Sequence, residues 1–591
     1  MFKRFLINDR LYEAIVIVVS LVMGLRVLEA TPVMYYADSY SYTSMAYGLK
    51  EGSYYRGFPI VGLPFILYLR FLAIPLWSIY NDLIYPVRIA SLLIYALSSY
   101  MFFKVLVSLY QSRSLTMYTL TRVLATLLTI SIYASNPIRV LFSTVPYRDI
   151  FANLLTLIVF YMGINALNTQ RLRYFIMFLT VFLLLIITRP ELAFLYSIPT
   201  ILIIFIILLH IYKPSIFVKY ETRLRITATI SLLSIAVFFG TFWLYEVLMH
   251  LYPELTVFGR YTFFERLYYF LSHNVFNHVL DSIAEKLGVL QLPLMKSSKP
   301  FVFSNIAIMA VYSLLNLVKN DDLRYRVFCL LCISIPFIML HFMVIYYGSL
   351  YARLMIPDRY FLHIQLFIEL LLSYFIIEVS IIAFKVVLSK EIAKKLLWLT
   401  IVSILVFNVV YSGHNNYING IDKAIGVSTW MSSYDKIAKY IANEIILGAK
   451  GNVMIPMYEI FFLNILNNLV KTYGKDAIYL YPLIKEKLLT FETVYNFTGV
   501  VSRADITKEE YCILTYSLFT KIVKTHKISY IVIEKMGRKE AFLRENLDYV
   551  KHCLYPVKLY GNVNLYLVNR SCTENPGENL NELLKCIEKR P

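Results

Sequence analysis

Charged residues are scarce in this chain of 591 residues. Only 16% of the residues are Asp, Glu, Lys or Arg, whereas 59% are hydrophobic, and the mean hydropathy is +0.62. A soluble protein cannot hide that much apolar surface. Several apolar runs also reach about 20 residues, the length that crosses roughly 30 Å of hydrocarbon as a helix. The composition therefore excludes a soluble protein and predicts a polytopic membrane protein.

Motifs for zinc and for nucleotides are also lacking. Of the six cysteines, Cys329 and Cys332 lie in an apolar run, VFCLLCISI, that offers no further ligand, whereas a structural zinc ion needs four. The other four cysteines lie in the C-terminal region and allow three disulfide pairings. No GxGxxG or GxxxxGKS sequence is present, so the sequence does not predict nucleotide binding.

The net charge of +19 indicates membrane topology rather than nucleic-acid binding, because within residues 1–412 most Lys and Arg residues lie in short links between apolar runs. The predicted spans are 11–29, 84–107, 123–142, 150–167, 174–188, 192–212, 227–248, 301–318, 327–347, 360–384 and 396–412. Alternate links are basic, which places the N-terminus in the cytoplasm. An odd number of spans, eleven, then places residues 413–591 outside the membrane.

The pattern predicts two domains. Residues 1–412 form a transmembrane domain with long outer loops at 30–83 and 249–300, whose aromatic and apolar stretches are typical of helices in the outer interface. Residues 413–591 form an extracytoplasmic α/β domain, because helical stretches such as YDKIAKYIANEI alternate there with β-rich runs such as NVMIP, SYIVIEK and VNLYLVN.

Charged residues at the outer ends of the predicted spans are the candidate functional residues, since such charges are costly when they are unpaired. They are Asp38, Arg56, Arg148, Asp149, Arg189, Glu191, Arg353, Asp358 and Arg359. If these side chains lie at the same depth, near the outer headgroups, they could form a pocket for an anion and a nucleophile. Alternatively, each arginine reaches lipid headgroups, or a neighbouring Arg–Asp pair is a structural ion pair. Among these residues, a functional role is favoured most for Asp38, because no Lys or Arg precedes it within ten residues to neutralise its charge.

Six sequence elements follow one another in a recognisable order. They are Asp38 after the first span, the loop GFPIVGLPFILYL, the run VRIASLLIYAL, Asn136-Pro137 with Asp149 a dozen positions on, the TRPE turn at 188–191, and DRYFLH at 358–363. In this order the sequence resembles the GT-C superfamily of membrane glycosyltransferases, which includes protein O-mannosyltransferases and the aminoarabinose transferase acting on lipid A.

The chain departs from two branches of that superfamily. Asp38 is followed by Ser39, whereas the protein O-mannosyltransferase branch carries an Asp-Glu pair after the first span. WMSSYD at 430–435 does not match the WWDYG motif of oligosaccharyltransferases. The sequence therefore argues against transfer of a whole oligosaccharide to asparagine. The branch with a monosaccharide on a lipid phosphate fits best.

The resemblance implies an inverting hexosyl or pentosyl transferase whose donor is a sugar on a polyprenyl (dolichyl-type) phosphate. The acceptor is a hydroxyl of a lipid, glycan or protein on the outer face. Asp38 is implied as the base, and Asp149 as a second acid. The implied phosphate and substrate residues are Tyr54, Tyr55, Arg56, Arg148, Arg189, Glu191, Arg353, Arg359 and Tyr360. Metal use varies in the superfamily, so a divalent metal stays open, although the sequence contains no His-rich ligand set. Membrane lipids are expected partners, and nucleic acid is not.

A transporter or flippase of a glycolipid or other anionic substrate is the alternative function. Transporters usually carry ionisable groups or broken helices at mid-membrane and show an internal repeat. The predicted spans show no repeat, and the charges cluster at the outer face, which favours the transferase. A receptor with a membrane anchor is a further alternative, but eleven spans are far more than an anchor needs.

Overall fold

A computed structural model gives the architecture of the chain. It describes residues 9–49, 62–110, 115–169, 171–189, 361–387, 392–448, 451–456, 458–490, 523, 526–534, 554–560 and 563–569. The chain divides into two compact units. The first unit comprises residues 1–27, 53–65 and 91–423, and the second comprises residues 28–52, 66–90 and 424–591.

Helices dominate the described part of the first 450 residues. They are α1 (Asp9–Ala30), α2 (Ala37–Ala46), α3 (Leu63–Tyr80), α4 (Tyr85–Leu109), α5 (Leu115–Leu128), α6 (Pro137–Phe142), α7 (Arg148–Thr169), α8 (Leu172–Thr188), α9 (Phe361–Val387) and α10 (Ile392–Tyr440). Helix α1 contains the run IVIVV, whose β-branched residues favour strands in water. A run of this length and apolarity becomes helix in a membrane, because hydrocarbon leaves no other partner for its backbone groups.

Six of the described helical stretches are long and apolar enough to cross a membrane. They are Arg10–Ala30, Tyr85–Leu109, Met117–Ala134, Arg148–Ala166, Gln365–Val386 and Lys395–Ile446. The prediction of a polytopic helical membrane protein is confirmed. The predicted spans 192–212, 227–248, 301–318 and 327–347, and the loop 249–300, lie outside the described residues, so the number of spans and the side of each terminus stay predictions.

The predicted span 123–142 is not one continuous α-helix. Helix α5 passes into a π-helical turn at Thr129–Ala134, and a separate short helix, α6, begins at Pro137. The break has a local cause, since the side chain of Asn136 caps α6 by accepting from the backbone N–H groups of Ile138 (3.0 Å) and Arg139 (3.3 Å). A proline at the first helical position suits such a start.

Helix α10 runs through the predicted domain boundary at 412/413. It extends for 49 residues to Tyr440 and continues as a π-helical turn at Ile441–Ile446. Within the predicted outer loop at 30–83, the described part holds two helices, α2 and α3. Helix α3 covers most of the apolar stretch predicted to lie in the interface and carries Pro75 inside it.

A five-stranded mixed sheet occupies the C-terminal part. Its strands are β1 (Asn452–Ile455), β2 (Leu488–Thr490), β3 (Ile528–Glu534), β4 (Leu554–Tyr560) and β5 (Val563–Val568), in the order β2-β1-β3-β5-β4. Strand β1 pairs in parallel with β2 and β3, whereas β5 pairs antiparallel with β3 and β4. Helices α11 (Tyr458–Tyr473) and α12 (Tyr481–Lys487) lie between β1 and β2 in the chain. The three runs predicted to be strands are β1, β3 and β5.

Candidate functional site

Asp38 lies in the first turn of the ten-residue helix α2, in the second unit. A carboxylate is favoured there by the partial positive charge of a helix N-terminus. Its side chain is half-buried. The residue before α2, Tyr36, has φ 71°, a left-handed conformation that a bulky L-residue rarely adopts. Such local strain persists only where surrounding contacts hold it.

Buried polar contacts hold the chain on both sides of Asp38. Arg88 Nη2 donates to Thr31 Oγ1 at 2.6 Å, and the hydroxyl of Tyr40 donates to the carbonyl of Met34 at 2.6 Å. Burial raises the pKa of the Tyr40 phenol, so this hydroxyl stays protonated and keeps donating at neutral pH. The carboxylate of Asp38 is therefore carried on a segment whose conformation is fixed by side chains from elsewhere in the sequence.

A second cluster of charges surrounds Asp149, in the first unit. Arg189 donates to Asp149 Oδ1 from both Nε (3.0 Å) and Nη2 (2.6 Å), and His363 Nε2 lies 3.3 Å from the same oxygen. Arg148 adds an electrostatic interaction with Asp149. All four side chains are buried. Two guanidinium groups therefore face one carboxylate in a place that water does not reach.

A third set of polar groups joins α6 to α9. Arg139 Nη1 donates to Glu369 Oε2 and to the carbonyl of Tyr133 (3.2 Å), and its guanidinium stacks 3.8 Å from the ring centre of Tyr133. Asn136 Nδ2 donates to Glu369 Oε1 (2.7 Å) and to Gln365 Oε1 (3.2 Å). Because Asn136 also caps α6 through its oxygen, one amide connects the broken helix to α9.

One edge of the Arg139 guanidinium makes no hydrogen bond to any described residue. The side chain is 1% exposed, yet its Nε and Nη2 atoms find no partner there. These two N–H groups lie parallel on the same edge, which is the geometry that grips a carboxylate or phosphate with two oxygens. Nδ1 of His363, also 1% exposed, is likewise without a partner among the described residues. Buried polar atoms without a protein partner commonly bind a ligand or an ordered water.

The structure brings together three of the residues predicted from sequence: Arg148, Asp149 and Arg189. Asp149 and Arg189 form a buried ion pair although they are 40 residues apart, whereas the alternative considered from the sequence was an ion pair between neighbouring residues. Asp38 lies in the other unit. Eight more predicted or flanking residues lie outside the described residues: Tyr54, Tyr55, Arg56, Glu191, Arg353, Asp358, Arg359 and Tyr360.

Sequence reasoning missed Arg139, His363 and Glu369. All three lie inside stretches predicted as spans, 123–142 and 360–384, where an ionisable side chain is itself a functional signal. His363 is the last residue of the DRYFLH element, and Arg139 and Glu369 lie within apolar runs. The rule that buried charges seek partners would have found Arg139 and Glu369 as a candidate pair.

No group of three or more His, Cys, Asp or Glu side chains suited to a metal ion occurs within the described ranges.

The comparisons with known proteins add a whole-chain likeness. No family model matches the chain, and no curated protein does.

The chain is similar to ArnT over nearly its whole length. The crystal structure of ArnT from Cupriavidus metallidurans bound to undecaprenyl phosphate aligns with a TM-score of 0.49 and 11% identity, covering 96% of this chain and 99% of ArnT. The apo structure of ArnT aligns with a TM-score of 0.47 and 9% identity, covering 95% and 98%. At identities this low, chemistry has to be argued from the side chains of the chain itself.

Proposed function

We propose that this chain is a membrane glycosyltransferase that moves a sugar from a polyprenyl-phosphate carrier to an acceptor hydroxyl on the outer face of the membrane. The observation that carries the proposal is the cluster of buried guanidinium groups around Asp149. Arg148 and Arg189 both interact with this carboxylate, and all three side chains are buried. Guanidinium groups held in a fixed position bind anions such as phosphate.

A phosphate attached to a lipid fits this cluster. Arg148 begins the apolar helix α7 and Arg189 directly follows the apolar helix α8, so both guanidinium groups lie at helix ends. A carrier whose chain dissolves in hydrocarbon places its phosphate near the ends of such apolar helices. The open edge of Arg139 adds a donor pair with the geometry of phosphate recognition. In this proposal Arg56, Arg353 and Arg359 join them, with Tyr54, Tyr55 and Tyr360 as hydroxyl donors and Glu191 in the substrate-binding set.

Asp38 is the base in the proposed reaction. The acceptor oxygen forms a bond to the anomeric carbon, and its proton passes to the carboxylate of Asp38. The bond between the anomeric carbon and the phosphate oxygen breaks, and its electron pair leaves with the lipid phosphate. Attack from the face opposite the leaving group inverts the anomeric configuration. Fixed arginines stabilise the charge that grows on the phosphate.

In this proposal Asp149 orients other side chains and does not act as a free second acid. Because Arg189 and His363 occupy its Oδ1, the carboxylate orients these two donors towards the substrate. The acceptor class, the use of a divalent metal, the cytoplasmic N-terminus and the outer position of the C-terminal part belong to the same proposal. Each rests on the sequence pattern.

Transfer in reconstituted vesicles tests the proposal. Purified protein receives a panel of radiolabelled polyprenyl-phosphate sugars, with membrane extract as the source of acceptor. We expect label to leave the lipid with wild type and not with Asp38→Asn. Retention of label on every donor by well-folded wild type would overturn the proposal.

A flippase or transporter is the second candidate, and one observation favours it. Glu369 and Arg139 form a buried pair within the helical core of the first unit, and Glu369 lies inside a membrane-spanning stretch. Transporters often place such pairs in the membrane interior. Movement of labelled lipid between leaflets without loss of its sugar would decide for this function.

A further inference from the structure

Helix α11 of the C-terminal part packs against α2, the helix that carries Asp38, and both belong to the second unit. The face of α11 towards this region is polar. Asn464, Asn467, Asn468 and Lys471 recur at spacings of three and four, so they lie along one side of the helix. Asn464 and Asn467 are buried, which is unusual for asparagine unless the amide has a specific task.

Two of these side chains hold the turn before α4. Asn467 Oδ1 accepts from the backbone N–H of Leu83 at 2.7 Å, and Lys471 Nζ lies 2.8 Å from Asp82 Oδ2. The other oxygen of Asp82 accepts from the backbone N–H groups of Ile84 (2.7 Å) and Tyr85 (3.0 Å). Asp82 therefore caps the start of α4 with one oxygen and binds α11 with the other.

Contacts from α4 and α10 fix the segment that carries Asp38. Arg88, in the first turn of α4, donates to Thr31 just ahead of that segment. Ser428, at the second unit's end of α10, clamps Val33 by accepting from its N–H (3.3 Å) and donating to its carbonyl (3.0 Å). Helix α11 also packs directly against α2 itself. The contacts thus run from α11 to α2 by a direct and an indirect route.

We propose that α11 is a positioning element for the reaction: through Asn467, Lys471 and Asp82 it holds the segment 31–49 in the conformation that presents Asp38. The inference rests on the proposed function in assigning Asp38 as the base. It makes the C-terminal part a component of the catalytic machinery rather than a separate binding module. Neither Asn467 nor Lys471 touches the reacting atoms in this account.

Asn467→Leu and Asn467→Asp test the proposal as a pair in the full-length protein. Leucine removes the acceptor for the Leu83 N–H, whereas aspartate keeps an oxygen in place. We expect Asn467→Leu to raise amide hydrogen exchange in residues 31–49 by about tenfold and to lower kcat by about tenfold, with KM for the lipid donor unchanged. Asn467→Asp should stay close to wild type in both measurements.

Lys471 supplies a second test that does not disturb a buried position, since its side chain is 51% exposed. Lys471→Met should raise exchange in the same segment, and Lys471→Arg should restore it. Lys485→Met on α12, another exposed lysine, is the matched control and should change neither exchange nor kcat.

The outcomes separate the two proposals. Unchanged exchange in residues 31–49 for both Asn467→Leu and Lys471→Met overturns the positioning role. Raised exchange with unchanged kcat also overturns it, because the segment would then be held without effect on transfer. If wild type transfers no sugar, the proposed function fails, while exchange still decides whether α11 holds the segment.

Discussion

Arg189 donates two hydrogen bonds to one oxygen of Asp149, at 3.0 Å from Nε and 2.6 Å from Nη2. Asp149 lies in the first turn of α7, and Arg189 directly follows α8. Because the two helices are neighbours in sequence and pack closely, the pair joins the start of one to the end of the other. His363 of α9 adds a third helix to the same oxygen. This pair therefore links α7 to α8 and also forms the centre of the proposed anion site.

Asp149→Asn should destabilise the protein strongly. The variant leaves Arg189 buried beside a neutral amide, and breaking a buried pair in this way costs about 3–5 kcal/mol. The apparent Tm of the detergent-purified protein measures it. The double variant Asp149→Asn/Arg189→Gln should lose less stability than the single variant, because the charge of Arg189 no longer lies buried beside a neutral amide. Equal Tm values for Asp149→Asn and wild type would contradict a buried ion pair at this position.

Arg139→Lys should weaken binding of the lipid donor. Lysine keeps the charge near Glu369 but lacks the two parallel N–H groups of the open edge. Loss of one charge-assisted hydrogen bond of about 1.5–3 kcal/mol corresponds to an increase in KM of about tenfold or more. Initial rates at varied polyprenyl-phosphate sugar measure it.

The control for Arg139→Lys is Arg173→Lys, since Arg173 is exposed on α8 and pairs only loosely with the Tyr174 ring. It should leave KM at the wild-type value. If Arg139→Lys also kept the wild-type KM, the open edge would not be a phosphate contact.

Asp38→Asn should abolish transfer while it preserves folding. The substitution is nearly isosteric, and the loss of a general base typically slows a reaction by about 10²–10⁴-fold. Single-turnover transfer at saturating donor isolates this step from binding. Asp422→Asn, at an exposed position of α10, is the matched control and should transfer at the wild-type rate. Substantial transfer by Asp38→Asn would move the base to another residue.

Gly413→Ala should lower the apparent Tm, whereas Gly426→Ala should leave it unchanged or raise it. Both glycines lie in α10, where alanine favours the helix by about 1 kcal/mol. At Gly413 an added Cβ would come within 2.4 Å of the carbonyl oxygen of Ser131, a backbone atom that cannot easily retreat. At Gly426 no atom of the described residues lies within 4 Å of an added Cβ. A stabilising Gly413→Ala would show that α10 does not approach the π-helical turn so closely.

Several elements could be predicted from the sequence because hydrocarbon allows few structures. The run 11–29 had to be a helix, and α1 occupies it with two more residues before it and one after. Strand β3 could be predicted from SYIVIEK because its β-branched residues suit a half-buried sheet. Asn136-Pro137 was visible as a motif, but the π-helical turn before it and the contacts of Asn136 and Arg139 with Glu369 of α9 were not, because these contacts join residues more than 200 positions apart.

The sequence by itself determined that the protein is a polytopic helical membrane protein, and it led to the choice of Asp38, Asp149 and the outer arginines as candidates. These follow from local properties: the length of apolar runs, charge at their ends and the spacing of residues along one element. Only the tertiary structure decided which charges pair. Arg189 meets Asp149 across 40 residues, and Glu369 meets Arg139 across 230. Such pairings depend on helix packing between distant parts of the chain, and a linear pattern of residue types contains no measure of that distance.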